Sequence, residues 1–229
     1  MNIVFPIRLN KYLAQVSGIS RRNADDLISG KRVTIDGKVA TLGDRVEEGN
    51  EVRVNGKPIN TDVSFIYVAL HKPRGYVCSR KRQGDSPTIY ELLPDKYHSL
   101  KTAGRLDRDS SGIILLTNDG DFAQRMTHPS YHKVKRYTVE LDKPLEPLHQ
   151  QMINDFGVDL EDGKSKLTLE RESDDRKRWV VTMSEGRNRQ IRRTFIALGY
   201  TVTTLHRTDF GPYHVHDIKE GSFEITEPK

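Results

Sequence analysis

The sequence predicts an α+β fold, in which a largely antiparallel sheet packs against helices. Apolar residues alternate with polar ones in several short segments, as at Tyr137, Val139 and Leu141, and this period of two is typical of half-buried strands. Apolar residues at helical spacing are confined to short stretches, such as Ile191 and Phe195. Strands outnumber helices and no series of βαβ units is sustained, so we expect a mixed sheet with helices packed against it.

The chain is long enough for two domains. Its 229 residues, 35% of them hydrophobic, suffice for one sizeable core and a second small module. Leu9 and Leu13 fall at helical spacing, and Ser20 is placed to cap a second helix. Hairpin turns are predicted at Asp36-Gly37 and at Asn55-Gly56. The predicted boundaries are residues 1–59 for the first domain, 60–66 for a linker and 67–229 for the second domain.

In the second domain, a strand is predicted to begin within residues 65–70. A helix is predicted over residues 188–198, because Ile191, Phe195 and Leu198 form one apolar stripe. Gly199 is placed to end this helix.

Net charge and cysteine content limit the classes of protein. The chain has 37 Lys and Arg against 32 Asp and Glu, a formal net charge of +5, which fits an anionic partner. The single cysteine, Cys78, excludes a disulfide framework and a thiolate metal site within one chain. Residues 1–10 lack a charged segment followed by an apolar core, and no run approaches the roughly 20 apolar residues of a spanning helix. We expect a soluble protein of the cytoplasm with no membrane partner.

Asp107 is the candidate nucleophile. It lies in a glycine-flanked segment, residues 104–112, with Arg105 two positions before it and a buried-strand sequence behind it. The alternatives are a turn or capping aspartate, or a metal-binding pair with Asp109. Metal binding is disfavoured because Arg105 and Arg108 surround the two acids and no further oxygen-rich cluster stands nearby. The pattern favours a carboxylate held ionised by arginine.

A cationic face is predicted on the first domain. Ser20, Arg21 and Arg22 begin the second helix, where free N–H groups and the helix dipole favour an anion. Arg8 and Lys11 lie on the preceding helix, away from its apolar stripe. The face would suit a phosphate backbone, and the alternative is an ordinary solvated charged surface.

The loop at residues 71–82 carries five positive charges and no acid. Gly and Pro residues indicate a loop that leaves a strand. Lys72 and Arg74 could grip phosphates there while Tyr76 stacks on a base. A flexible basic loop is the alternative.

A third cluster has four arginines within seven residues, in the segment 184–193 that passes from a strand through glycine into a helix. Arg189, Arg192 and Arg193 are predicted to lie on the side away from the apolar stripe. The cluster suits an anion, and one of its arginines is a candidate partner for Asp107.

Two sets of motifs resemble known families. The first domain resembles the S4-like RNA-binding domain in four motifs: Leu9-Asn10-Lys11-Tyr12-Leu13, Ser20-Arg21-Arg22, Val33-Thr34-Ile35-Asp36-Gly37 and Gly43-Asp44-Arg45-Val46. Behind it, three motifs in order resemble the RsuA/RluB/RluF family of ribosomal RNA pseudouridine synthases: Gly104-Arg105-Leu106-Asp107, Lys135-Arg136-Tyr137 and Glu185-Gly186-Arg187-Asn188-Arg189-Gln190-Ile191-Arg192-Arg193. The resemblance covers nearly the whole chain.

The second resemblance implies a role for each matching residue. Asp107 matches the aspartate that attacks ribose or uracil, and Arg192 matches the basic residue that pairs with it. Tyr137 matches an aromatic that stacks on the base and moves a proton. Arg105 would enter the helix vacated by the flipped uridine, and Leu205 would line the uracil pocket.

The resemblance also implies the partners. We expect ribosomal RNA or a pre-ribosomal particle as the partner, no metal or other cofactor, and a monomer. The residues expected to contact RNA are Arg105, Arg8, Lys11, Ser20, Arg21, Arg22, Lys72, Arg74, Arg187, Arg189 and Arg193.

Two other functions remain as alternatives. A non-catalytic RNA-binding or ribosome-assembly factor would need the basic face but not Asp107. A nucleoside-cleaving hydrolase would use Asp107 and Asp109 as a carboxylate pair. The modified nucleotide and the ribosomal subunit are left open by the sequence.

Overall fold

The computed structural model describes residues 3–60, 62 and 64–229. The chain forms two compact units. One comprises Met1–Ile66 with Asn118–Gly120, and the other comprises Tyr67–Thr117 with Asp121–Lys229. Among the described residues, no helix is long and apolar enough to cross a membrane.

The first unit contains two helices and six short strands among its described residues. They are β1 (Ile7–Arg8), α1 (Leu9–Ser17), α2 (Arg21–Ser29), β2 (Val33–Ile35), β3 (Lys38–Val39), β4 (Arg45–Val46), β5 (Val52–Val54) and β6 (Lys57–Pro58). Strands β3, β2, β5 and β6 form one sheet in that order, and β1 pairs with β4. A small core of its own includes Leu9, Leu13, Ala24, Ile28 and Val33.

Local signals in the sequence form these elements as predicted. Gly18 ends α1 in the left-handed conformation, with φ of 67°. The Ser20 side chain caps α2 by accepting a hydrogen bond of 3.0 Å from the Asn23 N–H. Asp36-Gly37 and Asn55-Gly56 all have positive φ, as tight hairpin turns require, and they join β2 to β3 and β5 to β6.

The second unit is built on a sheet of nine strands. Its elements are β7 (Tyr67–Lys72), β8 (Lys101–Ala103), β9 (Ser111–Thr117), α3 (Gly120–Thr127), β10 (Lys135–Leu141), α4 (Pro147–Gln151), β11 (Val158–Leu160), β12 (Gly163–Ser165), β13 (Thr168–Arg171), β14 (Arg178–Met183), α5 (Gln190–Ala197), β15 (Val202–Phe210), β16 (Tyr213–His214) and β17 (Phe223–Thr226). The strand order is β13-β14-β10-β15-β9-β7-β17, with β8 beside β9 and β16 beside β15, while β11 and β12 form a separate hairpin. The mixed, largely antiparallel α+β fold is confirmed.

One parallel contact joins the two antiparallel halves of this sheet. Strands β9 and β15 pair in parallel at two positions, Ser111 with His206 and Gly112 with Arg207. Gly112 has φ of 111°, and a Cβ at this position would stand 2.1 Å from the Arg207 carbonyl oxygen. Only glycine therefore fits where the strands meet. The buried Arg207 side chain fastens the junction by donating two hydrogen bonds, of 2.9 and 2.7 Å, to the Ile113 carbonyl.

Helix α5 packs on the half of the sheet formed by β10, β14 and β15. Ile191 and Phe195 are buried in its core, as the apolar stripe predicted. The helix ends at Ala197, and Gly199 follows in the left-handed conformation with φ of 80°. Leu106, from the loop between β8 and β9, belongs to the same core and draws that loop onto this half of the sheet.

Candidate active site

Asp107 lies in the loop that joins β8 to β9, here called the Asp loop (residues 104–110). Its side chain is 34% exposed, and its Oδ2 accepts a hydrogen bond of 3.2 Å from Nη1 of Arg189. The backbone N–H of Ser110 donates to the Asp107 carbonyl at 3.1 Å and closes a tight turn. Asp107 is thus a partly exposed carboxylate in direct contact with a cation.

A buried lysine holds the backbone of the Asp loop. Nζ of Lys72 donates hydrogen bonds to the carbonyls of Pro73, Asp107 and Ser110, at 3.1, 3.0 and 2.6 Å. Its side chain is fully buried, and burial lowers the pKa of Lys72 to about 8. Lys72 is among the residues predicted to contact RNA, and in the structure its ammonium group is enclosed by the carbonyls of the loop.

The basic loop at residues 71–82 is tied to the Asp loop at two further points. The Gly75 N–H donates to the Arg108 carbonyl at 2.8 Å. The Leu106 N–H approaches the Cys78 sulfur at 3.5 Å. Two loops that are distant in sequence therefore support each other around Asp107.

The structure pairs Asp107 with Arg189, whereas the family resemblance implies Arg192 for this contact. Arg189 is the residue just before α5, and its left-handed backbone (φ 46°, ψ 32°) directs its exposed side chain to the Asp loop. Arg192 is buried on α5, where it donates to the carbonyls of Val202 at 2.7 Å and Asp109 at 3.2 Å. The orientation of α5 buries the Arg192 side chain and places its guanidinium against backbone carbonyls, so the catalytic role of Arg192 stays a prediction.

Burial also affects the charge of Arg192. Its pKa is lowered, first by burial and then by the neighbouring charge of Arg189, while the carboxylates of Asp107 and Asp109 act in the opposite direction. Its Nε is buried and has no hydrogen-bond partner among the described residues. Through its hydrogen bond to the Asp109 carbonyl, Arg192 holds the carboxyl-terminal end of the Asp loop.

Tyr137 and Leu205 lie together beside the Asp loop. Tyr137 on β10 is opposite Arg207 on β15, and Leu205 is opposite Val139. Tyr137 and Leu205 are 8% and 6% exposed, and both belong to the core cluster that contains Leu106. The Tyr137 hydroxyl makes no hydrogen bond to any residue in the described part of the chain. Tyr137 and Leu205 are thus joined to the Asp loop through Leu106, the residue before Asp107.

Arg187 and Arg193 were predicted to contact RNA, and the structure gives them another partner. Both bind the Asp162 carboxylate, Arg187 at 2.9 Å and Arg193 through two hydrogen bonds of 3.0 and 2.7 Å. Their side chains are only 21% and 29% exposed. Their contact with RNA stays a prediction, and the structure shows both guanidinium groups bound to this carboxylate.

The remaining predicted RNA contacts differ in exposure. Arg74 and Arg105 are exposed and have no hydrogen bond or ion pair within residues 3–60, 62 and 64–229. In the first unit, Arg8, Arg21 and Arg22 are exposed, Lys11 is half-buried, and the Ser20 hydroxyl caps α2. The described residues contain no cluster of three or more His, Cys, Asp or Glu side chains placed to bind a metal.

Comparison with known proteins supplies the class. The family model for RNA pseudouridylate synthase matches residues 66–197, and the model for the S4 domain matches residues 7–52. A solved structure described as a pseudouridylate synthase superimposes with a TM-score of 0.68 at 32% identity, covering 96% of each chain. The fold and the matched models thus define an RNA pseudouridine synthase with an amino-terminal S4 domain.

Similar proteins narrow the class to a family. Ribosomal small subunit pseudouridine synthase A of Yersinia pestis is 39% identical over 92% of this chain and 90% of its own length. Ribosomal large subunit pseudouridine synthase B of Bacillus subtilis (strain 168) is 33% identical over 96% of this chain and 92% of its own. The chain belongs to the RsuA/RluB/RluF family of pseudouridine synthases, and it is an enzyme.

Proposed function

We propose that this enzyme converts a specific uridine of ribosomal RNA, or of a pre-ribosomal particle, to pseudouridine, with Asp107 as the nucleophile. The single observation that carries the proposal is the hydrogen bond from Arg189 to Asp107. Asp107 lies on a loop whose backbone is held by the buried Lys72. Relatives across most of the chain are named for small- and large-subunit ribosomal RNA modification, which supports the substrate class. We propose the cytoplasm as the place of action.

The reaction requires a nucleophile and no redox step. The Asp107 carboxylate attacks either the anomeric carbon of the ribose or the uracil ring, and the bond between the anomeric carbon and N1 breaks with its electron pair on the base. The base turns, carbon 5 forms the new bond to the anomeric carbon, and the aspartate is released. The carbon 5 proton is lost and N1 gains one, so product and substrate have the same composition.

Arg189 and Tyr137 serve this sequence in different ways. The Arg189 guanidinium places positive charge against the nucleophile and fixes its direction of approach. Tyr137 stacks on the flipped uracil, and its hydroxyl, which binds no described residue, moves the proton. Leu205 supports the other edge of the base.

Further residues, most of them exposed arginines, hold the RNA. Arg105 enters the space left by the flipped uridine and offsets part of the unstacking cost, which is on the order of a few kcal/mol. Arg74 contacts phosphate near the same loop. The phosphate-binding face of the S4 domain is formed by Arg8, Lys11, Ser20, Arg21 and Arg22.

The test is release of tritium from ribosomal RNA labelled at carbon 5 of uridine. The wild-type enzyme should release tritium stoichiometrically with pseudouridine formation. RNA binding without release would indicate an assembly factor, and formation of free uracil would indicate a hydrolase. Mapping of pseudouridines in ribosomal RNA with and without the enzyme then identifies the nucleotide.

A further inference from the structure

One carboxylate outside the Asp loop, that of Asp162, binds Arg187 and Arg193, which lie before and after Arg189 in the chain. Asp162 lies at the turn between β11 and β12, and its Oδ1 accepts from Arg187 at 2.9 Å and from Arg193 at 3.0 Å. Its Oδ2 accepts a second bond from Arg193 at 2.7 Å. Bidentate arginine–carboxylate contacts fix geometry better than single ion pairs.

The two arginines are also bound to backbone, so that each end of the segment around Arg189 is fixed. Arg187 donates to the carbonyls of Asp162, Gly163 and Lys164, each at 2.9 Å. Arg193 Nε donates to the Asn188 carbonyl at 2.8 Å. The short segment that contains Arg189 is therefore held to the β11–β12 turn before it and to α5 after it.

Arg189 itself has a backbone conformation that needs such support. Its φ of 46° lies in the left-handed region, which is strained for a residue other than glycine. Such a conformation persists only where the surroundings enforce it. The enforced conformation is the one that directs the guanidinium to Asp107, at 3.2 Å.

The charges lead to the same conclusion. The seven residues 187–193 include four arginines, whose positive charges repel one another. Asp162 neutralises two of them on the side of the β11–β12 turn, and Arg192 is buried against carbonyls. Arg189 is thereby left as the arginine of this segment that meets the Asp107 carboxylate.

We propose that Asp162 is a positioning residue for the ion pair between Arg189 and Asp107. It acts through Arg187 and Arg193 and sets where the Arg189 guanidinium stands. This inference rests on the proposed function, in which Asp107 is the nucleophile. Neutral hydrogen bonds between Gln190 and Ser165, at 3.1 Å, and between Thr194 and Ser165, at 2.8 Å, keep the same turn attached when Asp162 is replaced.

The test is a double-mutant cycle in the full-length enzyme with ribosomal RNA labelled at carbon 5. Single-turnover rates and RNA affinity are measured for Asp162→Asn, for Arg189→Ala and for the combined variant. Asp159→Asn is the matched control, because this carboxylate lies on the same hairpin and its ion pair among the described residues is with the exposed Lys164, at 3.6 Å. Asp107→Asn is included to test the proposed function by itself.

Asp162→Asn should lower the single-turnover rate about ten- to a hundredfold, because a displaced catalytic group costs rate on this scale. RNA affinity should stay equal or increase, since a negative charge is removed. In the Arg189→Ala background, Asp162→Asn should cause no further loss, whereas Asp159→Asn should match the wild type. Asp162→Glu, which keeps the charge, should restore part of the rate.

Additive losses in the cycle, or a wild-type rate in Asp162→Asn, would overturn the positioning role. Arg193→Gln removes the hydrogen bonds between Arg193 and the Asp162 carboxylate, and it should lower the rate in the same way. If Asp162→Asn unfolds, the cycle is run with Arg193→Gln in its place. Full activity of Asp107→Asn would instead refute the proposed function. An inactive Asp107→Asn beside a fully active Asp162→Asn would refute only the inference about Asp162.

Discussion

Arg189 donates a hydrogen bond of 3.2 Å to Asp107, although 82 residues separate the two in the chain. Each residue lies on a segment held by other groups. Lys72 holds the backbone on the Asp107 side, and Asp162 binds the arginines on either side of Arg189. The chemistry we propose depends on these supports as much as on the pair itself.

Replacing Asp107 should abolish turnover without abolishing RNA binding. Asp107→Asn keeps the shape of the side chain and removes the nucleophile, so the single-turnover rate should fall about a thousandfold or more. Asp109→Asn is the matched control, because its carboxylate is 54% exposed and its ion pair is with the neighbouring Arg108, at 3.4 Å. Rates and binding are measured on one ribosomal RNA fragment. Comparable rates in the two variants would refute the assignment of the nucleophile.

The Tyr137 hydroxyl and ring can be tested separately. Tyr137→Phe removes a hydroxyl that binds no described residue, so the melting temperature should hardly change while turnover falls sharply. Tyr137→Leu also removes the stacking ring and should bind the RNA more weakly as well. Single-turnover rates, RNA affinity and thermal melting separate these effects. A fully active Phe variant would restrict Tyr137 to stacking.

The glycine at the β9–β15 junction should be intolerant of any side chain. Gly112→Ala sets a Cβ against the Arg207 carbonyl in a left-handed conformation and should lower the free energy of unfolding by about 3 kcal/mol or more. Gly221→Ala is the control, because Gly221 has φ of 78° and no atom within 4 Å of the added carbon. Its cost should be about 1 kcal/mol. Equal midpoints for the two variants in urea unfolding would contradict the close approach.

The buried Lys72 predicts a pH dependence of stability. Its pKa is about 8 when folded, below the ordinary value of 10.5 that we assign to the unfolded chain. Between these values the unfolded state holds more protons, so the free energy of unfolding should rise with pH in this window. This contribution is lost as the pH falls through about 8. Lys72→Met lacks it, so the stability difference between wild type and variant should grow with pH in urea titrations; a constant difference would contradict the prediction.

The exposed arginines of the S4 domain should control the salt dependence of RNA binding. Replacing both Arg21 and Arg22 with Gln should reduce the slope of log affinity against log salt by about 0.7 to 0.9 for each phosphate that the domain no longer neutralises. Turnover at saturating RNA should be unchanged. Arg53→Gln is the control in the same unit, because its guanidinium already binds Glu51 at 2.8 and 3.0 Å. An unchanged slope in the double variant would remove these residues from the interface.

The sequence predicted the caps, turns and buried helix face that depend on residues close together in the chain. The cap at Ser20 and the turns at Asp36-Gly37 and Asn55-Gly56 follow from local backbone chemistry, and the structure has all three. The apolar stripe of Ile191 and Phe195 likewise predicted the buried face of α5. Each of these signals is complete within a few residues.

The sequence could not assign each arginine of residues 184–193 to its partner, because the partners lie far away in the chain. The rotation of α5 and the left-handed backbone of Arg189 decide that Arg189 and not Arg192 meets Asp107. From the sequence, Lys72 is predicted to lie in a basic loop, whereas in the structure Lys72 is the last residue of the apolar strand β7 and is buried with it. Asp162 is not singled out by the sequence, because its partners Arg187 and Arg193 are 25 and 31 residues away in the chain.

The parallel junction at Gly112 also determines when the active site can exist during synthesis. Strand β9 follows the Asp loop directly, yet its neighbour β15 begins only at Val202, and Arg189 is made shortly before it. When the Asp loop has just been synthesised, the chain therefore still lacks Arg189, which contacts Asp107, and β15, which pairs with β9. Pairings of such wide sequence separation form late and slowly. On the function we propose, the site can therefore form only after both Arg189 and β15 have been synthesised.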